Sequence, residues 1–541
     1  MPIPPSPKVV FEEVDMTREA GTGTPNNLLI AGTSPKGTLD PQVISSPADF
    51  VNCYGADVDS YFYWAGNIIT QFGSVLAVRA VGTGALCGGV IFNLDTGTSG
   101  EDPTTVLPAG VADPRNVIVT DPDQVFHVYA ENPGAWCNTD IKLAVLTYED
   151  YGMVAFRVNN PPMAPGEFLL VVLDSANNVM EYFRCSRSQT SRDSYGSIYI
   201  EDRVNGNSKY IWVKDNKVIS GSDPANIPIS TITGSALNPV SMTRGAIGST
   251  PTSGQILAAY QKCRNTALYD FAGILSVGNV GTMTDLALPT GLMALAEEVR
   301  TRLFLDNPFD VDNMNDIIEY REQNLNPSSN RVLLYFDWQQ AYDAAMDKYR
   351  YVPPTVFVGA AIAYMVNPTS GGGGKLWNSP AGNDFGKIWN ATGARYDPTE
   401  GERDTLYSHQ INPLATISGL GRLIWGDKTS QKFRSSLSYY GPRTALDIIE
   451  TEIKTVGMSL LFKPNNRSTR EMFAAAVNPF IRAMYTEGAL NSYIPIDVSD
   501  AIQVQPEVLN AILKVDLTEP VEAITVQIQI INQQTVTVTE L

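Results

Sequence analysis

The sequence predicts a multidomain α/β protein with a discontinuous core, a β-rich barrel- or sandwich-like insertion, and extended strand arms at both termini. Three observations predict it. Helical patterns alternate with apolar strands over 27–81 and again after Gly254, which implies a sheet covered by helices. Between about Ala85 and about Val240, short apolar runs are separated by Pro, Gly, Asn and Asp with hardly a helix among them. Near the end, Val526, Ile528 and Ile530 alternate with Thr525, Gln527 and Gln529, and Val536 and Val538 alternate with threonines, the period of two that marks a strand.

Taken in order, Pro2, Pro4, Pro5 and Pro7 hold the start extended, and Val9, Val10, Phe11 and Val14 make one short strand. Asn27–Gly32 is a buried strand. Ser46 and Pro47 open a short helix that ends near Gly55, and Asp59–Phe72 is amphipathic, with Gly73 as its stop. Val75–Val81 is a strand. The insertion then carries strands at Asn116–Thr120, Val125–Ala130, Ile141–Thr147, Phe168–Leu173 and Tyr210–Val213. Helices at Ile256–Ala267, Leu288–Arg302 and Met314–Gln323 alternate with strands at Phe271–Val277, Leu303–Asp306 and Arg331–Phe336. The last third holds a strand near Gly421–Trp425 and helices at Ala445–Thr455 and Ser468–Gly488, the latter opened by a Ser468/Glu471 capping box.

Composition narrows the function. The chain has 541 residues, 43% hydrophobic and 18% charged, the balance of ordinary globular protein. Its 38 basic against 57 acidic residues give a net charge of −19, which disfavours direct contact with a phosphate backbone. Five dispersed cysteines and two histidines, His127 and His409, support neither a disulfide framework nor a zinc site. No apolar run reaches membrane-spanning length, and the start is not that of a signal peptide. Thr369–Lys375 fails as a phosphate loop: Thr369 stands at the first glycine and Leu376 at the magnesium-binding hydroxyl. Acidic pairs such as Glu297/Glu298 and Glu450/Glu452 read as solvated surface. The expectation is a structural protein with no enzyme activity and no cofactor.

A strand at each terminus suits addition to the sheet edge of a partner, and equally pairing within its own subunit. Pattern alone leaves both open.

Several segments carry a family resemblance. Val10–Asp15, Ile30–Gly37, Ser45–Gly55 and Val75–Val81 match motifs in order, followed by Ala130–Asn138, where Cys137 replaces a usual glycine. Tyr351–Thr355, Trp377–Gly382, Gly419–Gly426 and Phe462–Asn466 continue the series, with Asp427–Ser430 a weaker match. In this order the chain resembles the tail sheath proteins of contractile bacteriophages and related injection particles.

The resemblance implies a subunit that stacks as hexameric rings around a tail tube and contracts to drive it through a target envelope. It implies a tail-sheath core at 18–85 and 241–395, a protruding insertion at 86–240, a C-terminal core domain at 396–520, and arms at 1–17 and 521–541. The arms would add strands to neighbouring copies through Val9, Val10, Phe11, Val14, Val526, Ile528, Ile530, Val536 and Val538. Lys463, Arg467, Arg470 and Arg482 would face the tube. Expected partners are further copies, the tail tube protein, and baseplate and tail-terminator proteins, with neither nucleic acid nor membrane insertion. The expected location is the virion, after assembly in the host bacterial cytoplasm. A bacteriocin-like or extracellular injection particle is the alternative within the family, and a host-binding decoration or adhesin the alternative outside it.

Overall fold

Leu28–Thr33 reads LLIAGT and is buried up to its last residue, as a strand covered on both faces should be. It sits within an eight-stranded sheet, seen in a computed structural model that describes residues 27–95, 102–218, 227–277, 281–503, 505 and 507–522. The arm positions named above lie outside the described residues. The described chain forms two compact units, a larger one from 27–375 with 380–432 and a smaller one from 376–379 with 433–522.

The larger unit is organised by that sheet. Its order is Gln42–Ile44, Val75–Ala80, Leu28–Thr33, Gly273–Leu275, Arg302–Asp306, Val332–Phe336, Ile411–Ile417 and Gly421–Ile424. The six inner strands run parallel, and the two edge strands are antiparallel to their neighbours. One face buries Leu29, Leu76, Ile274, Leu303 and Leu334 with Tyr260, Leu292 and Ile317 from helices Ser253–Gln261, Ala287–Val299 and Met314–Glu319. On the other side, Pro354–Val366 is apolar all round and buried along nearly its whole length. A Cβ on its Gly359 would come within 2.6 Å of Leu275.

Local signals set the early helices. Ser46 accepts from the Asp49 amide and Pro47 occupies the first turn of Pro47–Tyr54. The next helix spans Tyr61–Ile69, shorter than the expected 59–72. Ile411–Ile417 pairs with Val332–Phe336, so residues 396–432 complete this sheet. The larger unit runs to 432 and the smaller continues from 433.

Residues 86–240 form two four-stranded antiparallel sheets. One contains Gly89–Asn93, Thr104–Thr105, Gln124–Ala130 and Ile211–Asp215, and the other Lys142–Thr147, Glu167–Leu173, Val179–Ser186 and Val240–Ser241. Their facing side chains share one core, in which Phe126 stacks on Phe168 at 5.5 Å between ring centroids. A second cluster buries the far face of Glu167–Leu173, which explains its unbroken apolar run. The strand expected at Asn116–Thr120 is absent. Asp113 instead accepts from the Arg115 amide and opens a short 3-10 turn at Pro114–Asn116.

The insertion joins the parallel sheet through a built joint. Its incoming and outgoing segments bridge at Leu86–Ala246 and Gly89–Thr243. Arg79, at the end of its strand and 1% exposed, donates to the carbonyls of Ser34, Pro35 and Gly37 and, at 2.7 Å, to Pro133 in the insertion. The Leu39 amide donates to Asn132 Oδ1. Gly134 has φ +147, and a Cβ there would lie 2.8 Å from the Pro35 carbonyl oxygen. Cys137 fits because glycines surround it: its Sγ would lie 2.4 Å from a Cβ on Gly245 and 2.9 Å from one on Gly88.

Candidate assembly surface

The smaller unit is a helical hairpin with a two-stranded sheet. Tyr440–Leu460 leads through residues 461–466 into Arg467–Thr486, followed by strands Leu490–Asp497 and Ile512–Leu517. Asn466, not Ser468, caps the second helix: its side chain accepts from the Thr469 amide at 2.9 Å. Glu471 is thereby left to pair with Arg467 at 2.7 Å, one turn away. Phe473, Val477, Ile481 and Met484 repeat at helical spacing and are buried. The first helix buries Tyr440, Ala445, Ile448 and Ile449, and no residue after Ile449 is buried.

The four expected cations have different settings. Arg470 is held inside the unit, its side chain 12% exposed, donating to Asn465 Oδ1 and to the Asp500 carboxylate. Arg467 is exposed and paired only with Glu471 among the described residues. The side chains of Lys463 and Arg482 are exposed and have no partner among the described residues.

Two features escaped the sequence reading. Between the second helix and strand Leu490–Asp497 lies an open groove of about 660 Å³, lined by Ala475, Pro479, Arg482, Ala483, Tyr493 and Pro495, among others. Pro479 has no N–H to give the Ala475 carbonyl, a break in the helix ladder at this wall. At the hairpin turn, Met458 and Leu461 are each 63% exposed and Phe462 is fully exposed, with φ +66. A positive φ on a bulky residue is costly and marks a position where strain is tolerated. The run Leu460-Leu461-Phe462 directly before Lys-Pro-Asn-Asn was the available signal, because a turn seldom carries three large apolar residues in a row.

The sheet of this unit has two strands, with no third strand among the described residues. Leu490 pairs with Leu517 and Tyr493 with Val515, and the register shifts twice along the ladder. Ile494 and Ile512 are exposed on it.

Elsewhere several titratable groups are engaged within the fold. His127 sits between Tyr129 and Gln124, and burial pulls its pKa down to about 4. His409 Nδ1 contacts Glu322 at 2.6 Å. Burial pushes the Cys87 and Cys263 thiols up to about 12. Glu450 is bound by Arg443, and Glu297 by Ser329 and Arg331. Among the described residues no cluster could hold a metal ion, and no helix is long and apolar enough to cross a membrane.

No family model matches the chain. Over 181 residues, 33% of the chain, it is 29% identical to the tail sheath protein of Salmonella phage ViI. Over 174 residues it is 27% identical to the tail sheath protein of Enterobacteria phage T4. These matches span about a quarter of the relatives' length, 27% and 26%. The fold is similar to that of a sheath tail protein from Listeria innocua, with TM-score 0.55, 11% identity and coverage of 92% of this chain and 96% of that one. A sheath tail protein from Desulfitobacterium hafniense gives TM-score 0.51 at 12% identity, over 95% of this chain and 100% of that one. A chain of the contracted anti-feeding prophage baseplate matches at 0.51 and 12%, over 97% and 98%. These similarities support the contractile phage tail sheath family.

Proposed function

We propose that this chain is a non-enzymatic sheath subunit of a contractile phage tail, a virion component that polymerises as stacked hexameric rings around a tail tube. Contraction of the rings into a shorter, wider lattice drives the tube through the target envelope. The observation that carries this reading is the sequence match to curated tail sheath proteins. The fold similarity to the baseplate chain of the anti-feeding prophage favours, as a second reading, an extracellular contractile injection particle. In either setting the β-rich insertion projects away from the tube, and baseplate and tail-terminator proteins hold the ends of the sheath.

The two-stranded sheet of the smaller unit is the receiver in this scheme. Backbone hydrogen bonding to a neighbour's arm adds strands to it, and a linkage of that kind survives rotation of the bodies it joins. Electron microscopy of purified protein is expected to show rings or long tubes. Deleting residues 521–541 removes them while the fold stays soluble. Monodisperse monomers of the intact chain, or a trimeric fibre, would overturn the reading, and polymers persisting after the deletion would show that the arm pairs internally.

Lys463 and Arg467 form the exposed cationic start of the helix proposed to face the tube, with Arg482 about four-fifths of the way along it. Arg470 stabilises the unit through Asp500. Reversing Lys463 and Arg467 to Glu is expected to weaken cosedimentation with the tube at low salt, where exposed charges are least screened. Unchanged cosedimentation would remove the tube contact from this helix.

A further inference from the structure

The smaller unit carries both a projecting apolar tip and an apolar groove, and the two cannot meet within one copy. The tip is Met458, Leu461 and Phe462, at the turn before helix Arg467–Thr486. The groove centres on Pro479 and Ala483, in the second half of the same helix. At 1.5 Å per residue, about 18 Å of rigid helix separates Arg467 from Pro479. The tip therefore stays away from its own groove.

We propose that the Leu461–Phe462 tip of one copy inserts into the groove between helix 467–486 and strand 490–497 of the next copy. This rests on the self-assembly reading above and moves Arg482 from the tube to the contact between copies. Shape and chemistry agree. A groove of about 660 Å³ whose lining combines Pro479, Ala483 and Tyr493 with the polar Asn478, Thr486 and Glu487 offers small and flat surfaces against which an aromatic ring can pack.

Charge agrees as well. The tip closes the C-terminal end of helix Tyr440–Leu460, where unpaired carbonyls concentrate partial negative charge. Arg482, with no side-chain partner among the described residues, stands in the groove wall to receive that end, in a wall that also carries the Glu487 carboxylate.

A contact between different patches on identical chains is heterologous. It repeats head to tail and closes into a ring or extends into a helix, according to the rotation it imposes. The inserted tip also accounts for the φ of Phe462. Strain at an exposed position is retained where the strained geometry serves a contact.

Two variants separate the halves of the contact. Phe462→Ser removes the knob, and Ala483→Trp fills the hole. Both positions are exposed, so each variant is expected to keep the thermal unfolding midpoint of the parent. Sedimentation velocity of each variant alone, without tube, is expected to show self-association at least tenfold weaker than the parent's.

Mixing them is the decisive arm. The Phe462→Ser copy keeps its groove and the Ala483→Trp copy keeps its tip, so the mixture forms pairs that do not grow. Either variant assembling like the parent, or a mixture that forms no pairs, would overturn the proposal while leaving the sheath reading in place. A parent that fails to assemble at all would overturn both.

Discussion

Replacing Arg79 with methionine should destabilise the larger unit by roughly 3–5 kcal/mol, seen as a lower midpoint in urea unfolding. The guanidinium is buried, and among the described residues no carboxylate accepts from it; it donates to four backbone carbonyls, three in the turn after the first strand and one in the insertion. Burial pulls its pKa down to about 10, so it remains charged at neutral pH. Methionine fills much of the same space but donates nothing; the carbonyls of Ser34 and Pro133 are left buried without it, and those of Pro35 and Gly37 only partly so. A buried acceptor stripped of its donor costs about 1–3 kcal/mol, and two fully buried acceptors lose one here. Arg79→Lys keeps the charge yet loses the planar fork that reaches several carbonyls at once, so it should restore less than half of the loss. An unchanged midpoint for Arg79→Met would mean that the joint is held by the Leu86–Ala246 and Gly89–Thr243 bridges without the arginine.

This joint also illustrates what a sequence hides. Val75–Ala80 reads VLAVRA, and the strand itself is plain from its apolar residues and the glycine before it. The role of its one charge is not, because its acceptors lie 42 to 54 residues away along the chain. Arg470 makes the same point on the candidate surface. Its position on the helix reads as solvent-facing, but Asp500, thirty residues on, turns it inward.

The parallel strands at 302–306 and 332–336 were legible as apolar runs bounded by turns, and Ser46-Pro47 announced the first helix. Ile411–Ile417 was not, since Pro413 interrupts it and proline argues against a strand. Helix Pro354–Val366 gave no period because it has no solvent face. Val179–Ser186 is half-exposed and mixes charge with aromatics, so neither alternation nor an apolar run marks it.

Converting Asp337 to asparagine should stabilise the protein at pH 8 by up to about 4 kcal/mol and leave it near the parent at pH 4. Asp337 follows strand Val332–Phe336 and is fully buried. Its Oδ2 accepts from the Tyr396 amide at 2.7 Å, while Oδ1 has no hydrogen-bond partner among the described residues. The nearest cations are committed elsewhere: Arg395 donates to the Phe309 carbonyl and Asp312, and Arg422 to Gln339. Burial therefore dominates, and it pushes the carboxyl from its ordinary 3.8 up to about 7.

The sign follows from proton counting. Below about pH 4 both folded and unfolded chains hold the proton, and this residue adds no pH dependence. Between about 4 and 7 the folded chain keeps a proton that the unfolded chain has released, so stability falls as pH rises. Above about 7 both are ionised, and the full cost of a buried carboxylate is carried by the folded state. Asparagine has the same shape and no charge to bury, so its unfolding curve should lose this slope. Urea midpoints for parent and variant at pH 4, 6 and 8 test it. Parallel curves, or a gap that widens toward acid, would show that Asp337 is ionised in the folded protein and that a bound water or a shift of Arg395 offsets its burial.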